Sequence, residues 1–438
     1  MGSSGMRVLH ISTWNIQCGI ATYCDNLVKA LAASGVENDV FPICPHQWTS
    51  ALPRDVDQLN SDILAAAADA DVVHVQHEHG LFGIANGSGY AAKQYGRILR
   101  GLRGLGKPVV TTFHTELISP TPTQRMHKFN GFIRDWMRHR KWRARVAHQF
   151  GVRRGEARAI VHSARTRYAF ARAGLPIDSI HFMPHACLPQ RQFKVDRYKA
   201  KSLLKIPGHC KLLTIFGFVG RYKGHDLAVN ALKQLPEDYR LAICGGAHPE
   251  SRDDFLTHLM SQIKEAGLQD RVTITGWLPT ESAELYYAAT DICLAPYRAD
   301  SGLSASGALT WALSSNRPII ASKIDAFQPI QRESGAMMMI TADALEELCW
   351  AIQRLADDEV LQERLVQAAG NYVEKHSWRK NAENTIQLYE QMLFQQGRRS
   401  GRPHSDPVLV KIFAEDQGTG ADQESEDSGT AAEKIGAA

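Results

Sequence analysis

A glycine-rich loop at residues 216–226 constrains the fold of this chain more than any other stretch. The apolar run 211–215 precedes the loop, and apolar residues at helical spacing follow it between 227 and 235. The sequence therefore predicts a buried strand, a loop with three glycines, and a helix. Glycines let a ligand approach the backbone closely, and the start of a helix attracts negative charge. Because Arg221 and Lys223 add two cations, the loop is typical of a diphosphate site; a glycine turn with solvated cations is the alternative.

A second loop of the same kind favours the diphosphate interpretation. Residues 300–307 read DSGLSASG and precede a predicted helix at 308–314. Neither half of the chain contains the GxGxxG pattern of a dinucleotide-binding unit, and the loop at 14–19 has a single glycine. A hydride-transfer enzyme that uses NAD is therefore disfavoured.

Short apolar runs alternate with helical patterns in two consecutive groups. Strands are predicted at 6–11, 38–43, 70–76, 108–113, 159–162 and 179–183, and then at 211–216, 239–244, 272–275, 291–295, 318–321 and 336–340. Helices are predicted between them, notably at 20–33, 124–149 and 164–173. This alternation predicts an α/β fold of two Rossmann-like domains, each with a parallel sheet, that face each other across a cleft.

The predicted boundaries follow from composition. They are an N-terminal domain at 6–190, a linker at 191–207, a C-terminal domain at 208–376, a last helix at 377–395 and a disordered acidic tail at 396–438. The scattered eight cysteines contain no CxxC pair, no apolar run is long enough to span a bilayer, and no secretory signal opens the chain. The expected location is therefore cytoplasmic.

The net charge of +4 is unevenly distributed. Nine arginines and lysines lie within 134–158, interleaved with apolar side chains such as Trp136 and Trp142. This pattern predicts either peripheral membrane contact through an amphipathic face or, as the alternative, a solvated surface. No nucleic-acid partner is expected.

Several motifs together resemble one enzyme family. They are DVVHVQHEHGLFG at 71–83, PVVTTFH at 108–114, IVHSA at 160–164, FGFVGRYKGHD at 216–226, LAICGG at 241–246 and GALTWALSSNRPIIAS at 307–322. Their order and spacing resemble the retaining glycosyltransferases of family 4, also called glycosyltransferase group 1, from residue 6 to about 393. The resemblance implies the GT-B fold, with an acceptor domain first, a donor domain second and a C-terminal crossover helix.

The resemblance also implies site residues. The catalytic set, at the transferred sugar and the diphosphate, is His114, Arg221 and Lys223. The donor-binding set is Gly19, Trp277, Leu278, Ser304, Ser306, Gly307 and Ala308. In this set Trp277 and Leu278 are expected beside the nucleoside base, and the serine–glycine segment beside the phosphates. His185 stands where the family usually has asparagine, and it is given no role.

Residues His77, Glu78 and His79 have two interpretations. They form an acceptor-side loop, or, less favoured, part of a metal site, because His77 and His79 share one strand face. A third ligand at suitable spacing is not evident in the sequence. The expected chemistry uses no metal and no cofactor, with a nucleotide diphosphate sugar as donor and a carbohydrate or lipid-linked acceptor.

One departure from the family pattern leaves other functions open. Many members carry two glutamates eight residues apart, and this chain has Leu303 and Trp311 at those positions. A non-catalytic GT-B scaffold or binding subunit is therefore an alternative, as is a nucleotide-sugar epimerase or phosphorylase. The retained Arg221, Lys223 and His114 favour a glycosyltransferase.

Overall fold

The structure, a computed structural model, describes residues 5–44, 46–49, 52–83, 88–115, 157–247, 254–299 and 305–400. The chain divides into two units, Met1–Leu393 and Phe394–Ala438, and both β-sheets lie in the first unit. The two sheets correspond to the two predicted halves.

The N-terminal half is built around a six-stranded parallel sheet in the order β2-β1-β3-β4-β5-β6. Its strands are β1 Arg7–Ser12, β2 Glu37–Pro42, β3 Val72–His77, β4 Val109–Phe113, β5 Ala157–Val161 and β6 Ile180–Phe182. The described helices are α1 Gly19–Ala33, α2 His46–Thr49, α3 Pro53–Ala66, α4 Ser88–Gly104 and α5 Ala164–Arg172. All six strands predicted for this half are confirmed. The helix predicted at 124–149 and most of the basic segment 134–158 lie outside the described residues.

Alternating side chains of β1 enter two separate cores. Leu9 and Ile11 pack on one face of the sheet with α3 and α4, while Val8 packs on the other face with α1. Because helices cover both faces, β3 is buried along its whole length, including its polar residues His74, Gln76 and His77.

The C-terminal half repeats this architecture with the sheet order β12-β11-β10-β7-β8-β9. Its strands are β7 Lys211–Phe216, β8 Tyr239–Cys244, β9 Val272–Ile274, β10 Ile292–Ala295, β11 Ile319–Ser322 and β12 Met337–Ile340. The helices are α6 Arg197–Leu203, α7 His225–Gln234, α8 Phe255–Glu265, α9 Thr280–Ala289, α10 Gly307–Leu313, α11 Gln328–Ser334, α12 Leu345–Ala356 and α13 Glu359–Lys375. All six strands predicted here are confirmed as well. The order reverses between β7 and β10, and ligands of such sheets bind at the reversal.

The last helix, α14 Trp378–Ser400, returns to the N-terminal half. Trp378, Leu388 and Tyr389 pack with Val8 of β1, so this helix is the predicted crossover helix. It continues four residues beyond 396, where the disordered tail was predicted to begin; residues 401–438 lie outside the described part.

The predicted linker at 191–207 contains helix α6. The Lys201 ammonium of α6 pairs with Asp291 at 2.6 Å, and Ala200 packs in a core with Leu212 of β7. These contacts fix the segment to the C-terminal half. Among the helices that the structure describes, none is long and apolar enough to cross a lipid bilayer.

Candidate functional site

The loops after β7 and β10 meet where the second sheet reverses its order. Gly224 has φ 70°, and a Cβ there would lie 2.0 Å from the carbonyl oxygen of Pro296. Gly217 has φ 95°, and a Cβ there would lie 2.6 Å from Lys223 Nζ. Both positions therefore require glycine, which lets the two loops and the lysine pack closely.

Lys223 is a buried cation at this reversal. It is only 5% exposed, and its Nζ donates to the Phe216 carbonyl oxygen at 3.5 Å. Burial lowers the pKa of Lys223 from 10.5 to about 7, and no carboxylate of the described residues offsets this effect. A buried ammonium without an anionic partner is costly, so this position favours an anionic ligand.

Arg221, the other predicted diphosphate cation, lies in different surroundings. It is exposed, and its guanidinium carbon lies 4.9 Å from the centre of the Phe255 ring at the start of α8. The 3-10 turn Arg221–Lys223 directs the two side chains differently, with one buried and one exposed.

The predicted phosphate segment begins α10. Ser306 is the N-cap, and its hydroxyl accepts the Leu309 N–H at 3.2 Å and lies 3.0 Å from the Tyr297 hydroxyl. The Ala308 Cβ lies 3.4 Å from the point where a Cβ on Gly217 would sit. The structure therefore brings Ala308, at the start of α10, close to Gly217 and Lys223. Ser304 and Leu303 lie outside the described residues.

An aromatic wall stands beside the β7 loop. Trp277 is 48% exposed, and its ring centre lies 5.5 Å from that of Phe218, tilted by 30°. Gly276, which precedes Trp277, has φ 68°. Leu278 is half-buried and packs on the core of Ala200 and Leu212. An exposed indole face of this kind suits stacking of a nucleoside base.

Trp311 stands at one of the two positions where many family members have glutamate, and its ring packs against other side chains of the protein. The Arg191 guanidinium lies 5.2 Å from the Trp311 ring centre and 4.6 Å from that of Tyr287, and it pairs with Glu284 at 3.2 Å. The Phe216 ring stacks on the Tyr287 ring, with their centres 3.6 Å apart. Trp311 thus belongs to a packed stack.

In the N-terminal half, histidines gather at the carboxyl ends of neighbouring strands. His77 ends β3, His114 follows β4, His162 follows β5, and His185 follows β6. The carboxyl ends of parallel strands lie at the same edge of the sheet. A histidine at or just after the end of each of four strands was therefore a signal in the sequence that could have predicted this cluster.

His114 is held in place by both neighbours. Its Nε2 lies 2.8 Å from Gln76 Oε1, and its ring meets the edge of the Tyr23 ring at 4.7 Å. Burial first, and then the neighbouring histidines, hold the pKa of His114 well below its usual range. The imidazole is therefore neutral at physiological pH and can exchange hydrogen bonds with sugar hydroxyls.

Two histidines that had no predicted role lie next to His114. Its ring centre is 5.4 Å from that of His162, which is 5.5 Å from that of His185. Burial lowers the pKa of His162 to about 3, and burial also lowers the pKa of His185. His185 Nε2 lies 3.8 Å from the point where a Cβ on Gly307 would sit, so the histidine cluster adjoins the start of α10.

Gly19 and His77, two further predicted site residues, have different surroundings. Gly19 begins α1, and a Cβ there would meet nothing within 4 Å, which leaves room for a ligand. His77 is 2% exposed and packs among Phe82, Tyr95 and Phe113. Its ring therefore has a packing role in the core.

The other two members of the predicted acceptor loop lie just beyond β3. The Glu78 carboxylate accepts the Gly80 N–H at 2.7 Å and caps the 3-10 turn His79–Phe82. The side chain of His79 is not described. Within the described ranges, no group of three His, Cys, Asp or Glu side chains is arranged to hold a metal ion.

Part of the second half of the chain is similar to a known protein family. Residues 213–358 match the family model described as glycosyl transferases group 1. The phosphatidyl-myo-inositol mannosyltransferase of Mycobacterium leprae is 26% identical over 296 residues, which cover 66% of this chain and 68% of that relative. The D-inositol 3-phosphate glycosyltransferase of Corynebacterium aurimucosum is 24% identical over 197 residues, or 44% of this chain and 45% of the relative. The chain thus spans about two thirds of one relative and less than half of the other.

Solved structures share the fold. Anabaena Alr3699/HepE, crystallised in complex with UDP, matches with a TM-score of 0.63 at 14% identity, covering 87% of this chain and 100% of that one. Sucrose-phosphate synthase from Thermosynechococcus elongatus matches with a TM-score of 0.65 at 19% identity, covering 89% and 100%. These matches confirm the predicted GT-B fold, and within it residues 213–358 match the glycosyl transferases group 1 model.

Proposed function

We propose that this GT-B protein is a glycosyltransferase that moves a sugar from a nucleotide diphosphate sugar to a hydroxyl acceptor, with retention of configuration and without a metal or cofactor. The single observation that carries this proposal is Lys223, a buried ammonium at the sheet reversal with no carboxylate partner among the described residues. A diphosphate is the ligand that would compensate such a charge.

The surrounding geometry supports a donor in one orientation. The exposed face of Trp277 offers a stacking surface for the base, and Lys223 lies beside Gly217 and Ala308, where the phosphates would sit. His114, across the cleft in the N-terminal half, would then face the sugar. The relatives' names fit this class: one is a mannosyltransferase, and one solved neighbour was crystallised with UDP.

The reaction requires no side-chain base. The acceptor hydroxyl attacks the anomeric carbon on the face from which the diphosphate departs, and the bond from that carbon to the phosphate oxygen breaks. The leaving oxygen takes the acceptor's proton, which is why the neutral His114 need only orient the sugar. Lys223 and Arg221 would stabilise the negative charge that develops on the diphosphate.

The missing glutamates are compatible with this function. Position 311 carries a tryptophan and therefore supplies no carboxylate to the ribose. The Trp311 ring is held in a stack with Arg191 and Tyr287. We propose that the hydroxyls of Ser301, Ser304 and Ser306 replace those contacts. Of the three, the structure describes Ser306, whose hydroxyl caps α10. Neutral hydroxyls bind more weakly than a carboxylate, so we expect modest donor affinity.

The test incubates the purified protein with each common nucleotide sugar and measures release of free nucleoside diphosphate, with and without carbohydrate and lipid-linked acceptors. We expect one donor to be consumed in an acceptor-dependent way, and His114→Ala to abolish this release. His209→Ala is the matched control, because His209 is exposed and lies before β7, at the opposite end of that strand from the site.

Each alternative function predicts a different result. Tight donor binding without turnover under any acceptor condition indicates a scaffold, and conversion of the donor without any acceptor indicates an epimerase. Donor consumption that requires inorganic phosphate indicates a phosphorylase. Any of these outcomes contradicts the proposal.

A further inference from the structure

One histidine of the N-terminal half reaches the start of α10. His185 follows β6, yet its Nε2 lies 3.8 Å from the point where a Cβ on Gly307 would sit. Ala308, the next residue, lies 3.4 Å from the corresponding point on Gly217, and that point is 2.6 Å from Lys223 Nζ. His185 and Lys223 thus approach the same helix start from different halves of the fold.

The tautomer of His185 follows from its hydrogen bond. Nδ1 lies 3.0 Å from the Ala186 carbonyl oxygen. A carbonyl oxygen only accepts, so Nδ1 carries a proton and donates it. In the neutral ring Nε2 is therefore a bare acceptor, and it becomes a donor toward an anion only when the ring gains a second proton.

Burial favours the neutral form of the His185 ring. Tyr23 of α1 lies 5.1 Å away and His162, after β5, lies 5.5 Å away, measured between ring centres; Trp378 of α14, at 6.2 Å, does not titrate. Burial lowers the pKa of His185, and no carboxylate of the described residues raises it. A diphosphate would bring the missing negative charge.

We propose that His185 binds the diphosphate of the donor from the N-terminal half and takes up a proton as the diphosphate binds. This inference rests on the proposed function and adds to it a phosphate contact across the cleft. The imidazolium would complement Lys223 on the other side of the helix start. Departure of the diphosphate would remove the negative charge that stabilises the imidazolium, so the proton would return to solvent.

The experiment is isothermal titration calorimetry of UDP and GDP at pH 7, in two buffers with different ionisation enthalpies, which yields the number of protons taken up per nucleotide. The variants are His185→Asn and His185→Gln, with His209→Asn as the matched control at an exposed position. Lys223, with a pKa of about 7, also gains protons on anion binding, but it does so in every variant. The difference from the wild type therefore isolates His185.

We expect both His185 variants to bind the nucleoside diphosphates about 10-fold more weakly, because a charge-assisted hydrogen bond is lost. We also expect them to take up fewer protons, by up to about one per nucleotide. Uridine and guanosine, which lack phosphate, should bind the wild type and both variants equally. His209→Asn should match the wild type throughout.

Four outcomes decide the matter. Weaker diphosphate binding with reduced proton uptake and unchanged nucleoside binding supports the inference. Unchanged proton uptake and affinity, with nucleotide still bound, overturns the role of His185 and leaves the proposed function intact. An equal loss for nucleosides and diphosphates indicates a purely structural role and also overturns it. Failure of the wild type to bind any nucleoside diphosphate overturns both.

Discussion

Replacement of Lys223 by methionine should change stability and ligand binding in opposite directions. Lys223 is 5% exposed and its pKa falls to about 7, so below that pH the folded state carries a charge that costs about 4–5 kcal/mol relative to an exposed lysine. Methionine has nearly the same shape and no charge. Lys223→Met should therefore raise the free energy of unfolding at pH 7 by about 2–4 kcal/mol.

The same lysine predicts a dependence of stability on pH. The unfolded chain holds the Lys223 proton up to about pH 10, whereas the folded chain loses it near pH 7. Between these values the unfolded state binds more protons, so the free energy of unfolding rises with pH. The contribution from Lys223 should reach about 2 kcal/mol between pH 7 and pH 9, and Lys223→Met should remove it.

The assay is urea unfolding of both proteins at pH 7 and pH 9, combined with calorimetric binding of UDP and GDP. Lys223→Met should bind nucleoside diphosphates about 10- to 100-fold more weakly. Lys201→Met is the matched control: this lysine is 3% exposed but pairs with Asp291 at 2.6 Å, before β10 and away from the site. Its removal leaves a buried carboxylate with one partner fewer, so it should destabilise the fold by about 3 kcal/mol without changing nucleotide affinity.

A Lys223→Met variant that is less stable than the wild type at pH 7, with the same dependence of stability on pH, would contradict both predictions. That result would mean that Lys223 has a compensating partner in the free protein. Unchanged nucleotide affinity in a stabilised variant would separate the lysine from the site.

Three further predictions concern the rest of the site. Arg221→Ala should reduce transfer by roughly 10- to 100-fold or more by removing a charge-assisted bond, and unchanged steady-state kinetics in a folded variant would exclude this loop residue. Trp277→Ala should weaken nucleotide binding by about 10-fold, by loss of base stacking, with little change in melting temperature because the indole is 48% exposed; equal affinity by calorimetry would contradict this role. Through its basic segment 134–158, the chain should sediment with anionic but not neutral liposomes, and equal, negligible binding to both would leave the solvated surface.

The fold was predictable because parallel strands covered on both faces read as short apolar runs. All twelve strands were located within two residues, and so were the bounds of α1 and α5. The helix inside the linker was missed because its packing depends on Lys201 and Asp291, which are 90 residues apart in the sequence. Mixed charge alone does not reveal such a pair.

The site was predictable in part. The β7 loop and the start of α10 were recognised from glycines and cations, and the structure brings them together. Three contacts were not predicted: Arg221 lies on Phe255, Trp311 packs in a stack with Arg191, and His185 approaches Gly307. Each depends on contacts between loops that are distant in the sequence, which no local pattern records.

A crystal structure of the complex with UDP or GDP would show directly whether Lys223 binds the diphosphate. We expect a phosphate oxygen within hydrogen-bonding distance of Lys223 Nζ, beside Gly217 and the first residues of α10, with the base on the face of Trp277. A nucleotide bound elsewhere, with no phosphate oxygen near Lys223 Nζ, would contradict this proposal.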